Sequence, residues 1–138
     1  MEATPHQGTI LVVDDDDGVR ALLKKHLTAA GHSVLLAESA AAAERLLMKD
    51  PDLMIVDADL GGTSGVEFVS TLICDPAMPW VPVIFMTGRA KAESRAATLG
   101  SACLVKPFLA PRLLELVERV LRSQARANAA AAYSLNAA

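Results

Sequence analysis

The sequence predicts an α/β fold in which a parallel sheet carries helices on both faces. Three observations point there. Short unbroken apolar runs recur at residues 10–13, 53–56 and 83–86, with weaker ones at 34–36 and 103–105, and such runs suit strands buried on both faces. Between the runs lie segments with apolar residues at helical spacing, such as Val19, Leu22, Leu23 and Leu27. The two patterns alternate along the whole chain, which implies right-handed crossovers between parallel strands.

The elements follow in order. A strand over 9–14 leads to a helix over 17–30, with Asp17 as its N-cap and Gly31 as its terminator. A strand at 33–37 and a helix at 39–49 come next, and Asp50-Pro51 stops the helix before a strand at 52–57. A helix at 65–74, a strand at 82–87, a helix at 90–99 and a short strand at 102–105 continue the alternation. The last helix, 109–124, places Leu113, Leu114, Val117, Val120 and Leu121 on one side. Glu115 with Arg119 and Glu118 with Arg122 lie on the other, at the favourable i,i+4 spacing. Residues 125–138 are Ala-rich with little apolar periodicity and read as a frayed helical extension or a loose tail. Residues 1–8 read as a flexible N-terminal segment.

At 138 residues, against a typical domain length of about 150, the chain has room for one compact domain and a short tail. Hydrophobic residues make up 52% and charged residues 21%, enough for a buried core. Aromatics are only 4%, so that core is aliphatic. Thirteen basic against sixteen acidic side chains give a net charge of -3, which leaves no electrostatic footprint for direct nucleic-acid binding. Mean hydropathy is +0.33, yet no apolar run approaches the roughly 18 residues of a spanning helix, so no membrane insertion is expected. The N-terminus lacks a secretory pattern, and Cys74 and Cys103 lack paired-ligand spacing. A cytoplasmic location with reduced thiols is the expectation.

In an open parallel sheet the functional crevice lies beyond the C-terminal ends of the strands. Here those ends are polar: Asp14-Asp15-Asp16-Asp17 after the first strand, Asp57 and then Asp59 after the third, Thr87 after the fourth, Lys106-Pro107 after the fifth. Asp16 and Asp17 read as a solvated acidic turn that caps a helix. Crowded carboxylates repel, and a hard cation held through oxygen relieves them. Mg²⁺ fits, because it accepts one or two carboxylates and leaves positions for phosphoryl oxygens. A lysine and a hydroxyl beside it would neutralise a phosphoryl group in transfer to a carboxylate.

Those residues, in that order and followed by Phe108, resemble the receiver domain of two-component response regulators, of the single-domain chemotaxis type, over about residues 9–122. The resemblance implies a flavodoxin-like (βα)5 sheet of order 2-1-3-4-5, with the receiver spanning 9–124. It makes Asp57 the phosphoacceptor. Asp15 and Asp57 would bind Mg²⁺ directly, with the backbone carbonyl of Asp59, while Asp14 would act through water. Thr87 would hydrogen-bond the phosphoryl group and Lys106 would pair with it, next to a cis Lys106-Pro107 bond. The family's partners are a histidine kinase or histidine phosphotransfer protein and a downstream protein. Its aspartyl phosphate hydrolyses itself; a homodimer is open to the chain, and the sequence does not identify whether phosphorylation drives it.

The chain departs from the family at several positions. Cys103 stands where an aromatic usually couples to the threonine, and a thiol is too small to swing as a ring does. Nineteen positions separate Thr87 from Lys106, a few fewer than usual, so the helix at 90–99 and the loop after it are trimmed. Gly61-Gly62 replace a proline that often lies four residues after the phosphoacceptor. Asp59 and Arg89 flank the entrance, where an ion pair between them would tune the phosphoryl lifetime. His6, His26 and His32 have no partner that points to catalysis, and Trp80, between Pro79 and Pro82, reads as a loop anchor.

The leading expectation is a stand-alone regulator that signals through a changed protein surface or relays the phosphoryl group onward. A phosphorylation-independent adapter is one alternative. The other is a haloacid-dehalogenase-type phosphatase with Asp57 as nucleophile and Asp59 as acid/base, for which 138 residues leave little room for a substrate cap.

Overall fold

Five strands, β1 (Thr9–Val13), β2 (Ser33–Ala37), β3 (Leu53–Asp57), β4 (Val83–Thr87) and β5 (Ala102–Val105), form one sheet in the computed structural model. That model is described over residues 7–88, 100 and 102–137, with side chains to residue 134. The strands are parallel and ordered β2-β1-β3-β4-β5, as the resemblance implied. Four helices are described: α1 (Asp17–Ala29), α2 (Ala40–Leu47), α3 (Gly65–Ile73) and α4 (Ala110–Ala137). The predicted helix at 90–99 and Arg89 lie outside the described residues.

Alternation of side chains along each strand divides the core into two layers. Ile10, Val12, Ile55, Ile84 and Met86 pack against Leu23 and Leu27 of α1 and Leu113 and Val117 of α4. Leu11, Val13, Met54, Val56 and Phe85 pack against Ala43 and Leu47 of α2 and Val66 and Val69 of α3. β3 and β4 are buried along their full length, which accounts for their unbroken apolar sequence.

Register sets the site. Val13 pairs with Val56, so Asp14 and Asp57 leave the sheet side by side. Asp57 pairs with Met86, and Thr87 pairs with Val105, so Thr87 and Lys106 emerge on the same rim.

The helix ends refine the expected boundaries. Asp16, not Asp17, caps α1, its Oδ1 accepting the Val19 amide at 3.1 Å. Asp17 instead is the first helical residue, where a carboxylate favours the positive end of the helix dipole. Gly31, at φ +96°, terminates α1 as expected. The Gly31 and His32 amides donate to the Thr28 and Leu27 carbonyls, both at 3.0 Å, a glycine-dependent reversal. Ser39 and Ser64 cap α2 and α3.

α4 does not end at 124 but runs on to Ala137. The last buried side chain is Leu121, and everything described from residue 125 on is exposed, so no apolar periodicity could mark the extension. Alanine has the highest helix propensity, and a helix already nucleated on the core elongates without a new nucleus. Gln124 and Asn128 add an i,i+4 hydrogen bond at 3.1 Å. On the domain itself, the expected Glu115–Arg119 pair forms at 3.1 Å.

Two other residues depart from expectation. His32, for which the sequence offered no partner, is buried, and its Nδ1 accepts the Gly8 amide at 3.2 Å. Trp80 is 64% exposed and so anchors the loop less than expected.

Candidate functional site

Asp14, Asp15 and Asp57 bring one carboxylate oxygen each to within 4.8 Å of one another. They line an open cleft of about 890 Å³ together with Asp59, Thr87, Gly88 and Lys106. Asp14, Asp57 and Thr87 are buried, while Asp15 and Asp59 face solvent. The residues that end the apolar runs therefore meet, as the strand ends predicted.

The Lys106 ammonium donates to Asp57 Oδ2 at 2.6 Å and stands 3.7 Å from Asp14 Oδ2. Asp57 Oδ1 accepts the Asp59 amide at 2.9 Å, so both oxygens of that carboxylate are held. Lys106 is itself placed by its backbone, whose amide donates to the Thr87 carbonyl at 2.8 Å. The Lys106–Pro107 bond is cis.

Asp14 is the strained member. Its Oδ1 accepts the Asp16 amide at 2.9 Å, whereas Oδ2 is buried and accepts no hydrogen bond among the described residues. Burial, with the neighbouring Asp57 charge, pushes its carboxyl up to about 6, against the opposing hydrogen bond from Asp16 and the charge of Lys106. Lys106 shows the reverse balance. Burial disfavours its charge, but the hydrogen bond and charge of Asp57, together with the charge of Asp14, outweigh that and hold it above the usual lysine range.

Residues not singled out from the sequence complete the frame. Arg20 on α1 reaches back to donate Nη1 to the Asp14 carbonyl at 2.6 Å and also bonds Asp17. Gly65 opens α3 so close to β3 that a Cβ there would lie 1.9 Å from the Asp57 carbonyl oxygen. An arginine among aspartates reads as a solvated face, and only folding back of the side chain reveals Arg20. A glycine directly after the helix-capping Ser64 was the available signal for Gly65.

Asp59 sits in the cleft and forms an isolated antiparallel bridge with Ser64 across the β3–α3 loop. Its expected pairing with Arg89 lies outside the described residues. Cys103 is half-buried and packs on the α2–α3 side of the sheet, while Cys74 is exposed. No described helix is long and apolar enough to cross a membrane.

The sequence matches the response regulator receiver domain family over residues 10–118. The phosphate regulon transcriptional regulatory protein PhoB of Rhizobium meliloti is 34% identical over 117 residues, covering 82% of this chain and 52% of that protein. Protein PetR of Rhodobacter capsulatus is 32% identical over 126 residues, covering 88% of this chain and 51% of that protein. The chain spans about half the length of these curated relatives. Among solved structures, a putative response regulator from Chloroflexus aurantiacus superimposes with a TM-score of 0.77 at 30% identity, covering 85% of this chain and 99% of that one. The chemotaxis protein CheY4 of Vibrio cholerae does so with a TM-score of 0.74 at 25% identity, covering 83% and 99%. With its strand order, its acidic cleft and its lysine–aspartate pair, the chain belongs to the receiver domain family of two-component response regulators.

Proposed function

We propose that this receiver domain accepts a phosphoryl group on Asp57 from the phosphohistidine of a histidine kinase or phosphotransfer protein, and loses it again by hydrolysis. The observation that carries the reading is the Lys106–Asp57 contact of 2.6 Å, set beside two further carboxylates in an open cleft.

The donor set is all oxygen, with three carboxylates, and the buried Asp14 Oδ2 has an unfilled acceptor position among the described residues. Both features fit Mg²⁺. Asp15 and Asp57 would hold the ion with the Asp59 carbonyl, and Asp14 would support it through water. When bound, Mg²⁺ supplies positive charge against the phosphoryl oxygens.

The remaining work belongs to the chain. Asp57 Oδ2 attacks phosphorus, the phosphorus–nitrogen bond of the donor breaks, and its electron pair returns to the imidazole. Lys106 pivots from the carboxylate to a phosphoryl oxygen and keeps its charge compensated. The Thr87 hydroxyl donates to another oxygen. Hydrolysis breaks the new phosphorus–oxygen bond, releases phosphate and restores Asp57, so the domain resets itself. Asp59 and Arg89 would govern entry of the attacking water, and Cys103 would alter how Thr87 is read out. Output is a changed surface for a downstream protein in the cytoplasm, or onward transfer of the phosphoryl group.

Intact-protein mass after incubation with acetyl phosphate tests this. A Mg²⁺-dependent gain of one phosphoryl group in the wild type, absent in Asp57→Ala, is expected. No adduct from acetyl phosphate or from a histidine kinase would replace the reading with that of a phosphorylation-independent adapter.

A further inference from the structure

Between β3 and α3 the chain turns through two left-handed glycines, Gly61 at φ +64° and Gly62 at φ +101°. The turn is pinned: the Leu60 amide donates to the Thr63 carbonyl at 2.8 Å, and the Asp59–Ser64 bridge closes its base. The two glycines differ in what they face. A Cβ on Gly61 would lie 2.4 Å from Asp15 Oδ2 and 3.2 Å from its Cγ, whereas one on Gly62 would meet nothing within 4 Å.

Asp15 is exposed, and among the described residues no hydrogen bond or ion pair holds its carboxylate. Such a side chain is free to change rotamer unless something walls it in. The bare Cα of Gly61 borders that carboxylate: a Cβ built there falls 2.4 Å from Oδ2 in the conformation that brings Asp15 within 4.8 Å of Asp14 and Asp57. A methyl group there would not break the fold, because the atom it strikes is the mobile end of an exposed side chain. It would displace the carboxylate. A proline, with φ fixed near −65°, could not adopt this turn at all.

We propose that Gly61 is a positioning residue that seats the Asp15 carboxylate for divalent cation binding. This rests on the reading of the acidic cleft as a Mg²⁺ site. In that role Gly61 acts through Asp15 and touches neither ion nor phosphoryl group.

The test is titration of the full chain with Mn²⁺, followed by electron paramagnetic resonance and by competition with Mg²⁺, in the absence of any phosphodonor. Gly61→Ala is expected to weaken binding about tenfold or more, the usual scale for residues that orient metal ligands. Gly62→Ala, strained in its backbone but clear of Asp15, is expected to stay within about twofold of wild type. Gly61→Asn tolerates the left-handed backbone yet carries the same Cβ, so it should weaken binding like Gly61→Ala even where the alanine variant folds poorly. In an Asp15→Asn background the Gly61→Ala effect should vanish, which a general loosening of the loop would not produce.

Wild-type affinity in Gly61→Ala and Gly61→Asn, or an equal loss in Gly62→Ala, would overturn the assignment while leaving the cation site standing. A wild-type chain that binds neither Mn²⁺ nor Mg²⁺ would remove both.

Discussion

Lys106 holds its ammonium 2.6 Å from Asp57 and 3.7 Å from Asp14, so a single cation sits against two of the three carboxylates that cluster in the cleft. The Lys106 side chain is only 31% exposed, and solvent screens this contact less than it would a surface pair. Removing it leaves the acids facing one another. Lys106→Ala should therefore destabilise the metal-free protein at pH 7 by about 1–3 kcal/mol, below the usual loss for a fully buried pair. The same ammonium competes with a divalent cation for Asp57, so the variant should bind Mg²⁺ several-fold more tightly. Thermal melts across a Mg²⁺ titration read both effects, and an unchanged melting point with unchanged affinity would contradict the role assigned to this contact.

Asp14 leads to a prediction of opposite sign. Its carboxyl is raised from 3.8 to about 6 by burial, so between those values the folded chain holds a proton that the unfolded chain releases. Stability therefore falls as pH rises through that window, and above about 6 the folded protein carries a buried charge. Asp14→Asn removes that cost. In the absence of metal it should be more stable than wild type at pH 8, by of order 1–3 kcal/mol, and the gap should close toward pH 4. Mg²⁺ at ten times its Kd would add about 1.4 kcal/mol to wild type and less to the variant. Paired melts at the two pH values decide, and a gap that widened on acidification would reverse the assignment.

Arg20 marks the limit of what patterning can show. Asp14, Asp57, Thr87 and Lys106 were legible because each ends an apolar run, and parallel register carries run ends to one rim. The layered core was legible for the same reason. Arg20 was not, and Gly61 was legible only as a loop glycine in place of a proline, since the contacts of both lie across a turn that no periodicity encodes. For residues 125–138 the sequence left a helical extension and a loose tail both open, because that stretch buries nothing and burial is what periodicity reports. The partner of His32 was missed because it is a backbone amide near the N-terminus.

Arg20 itself is testable. Its Nη1 donates to the Asp14 carbonyl at 2.6 Å, tying the first turn of α1 to the end of β1. Arg20→Ala should cost about 1–2 kcal/mol and slow phosphorylation of Asp57 by acetyl phosphate several-fold through disorder at Asp14 and Asp15. Arg20→Lys should recover only part, because a single ammonium cannot reach the carbonyl and Asp17 with the same fork. Full recovery in the lysine variant would reduce Arg20 to a source of charge.

His32 should make the protein acid-sensitive in a way that Asp14 masks. Its Nδ1 accepts the Gly8 amide at 3.2 Å and must be unprotonated to do so. Burial lowers its pKa below 6.5, against the opposing charge of Glu118 on α4. The unfolded chain therefore takes up a proton first. Stability present above pH 6.5 is lost as pH falls through that value toward the lower folded pKa. Asp14 gains stability as pH falls below about 6, so the two slopes oppose each other in the wild type. An Asp14→Asn background exposes the histidine: its melting point should drop between pH 7 and pH 5. In Asp14→Asn/His32→Asn, where an amide oxygen replaces Nδ1 and nothing titrates at that position, the drop should shrink. A histidine titration by nuclear magnetic resonance gives the independent check, and a His32 pKa above 6.5 would reverse the predicted slope.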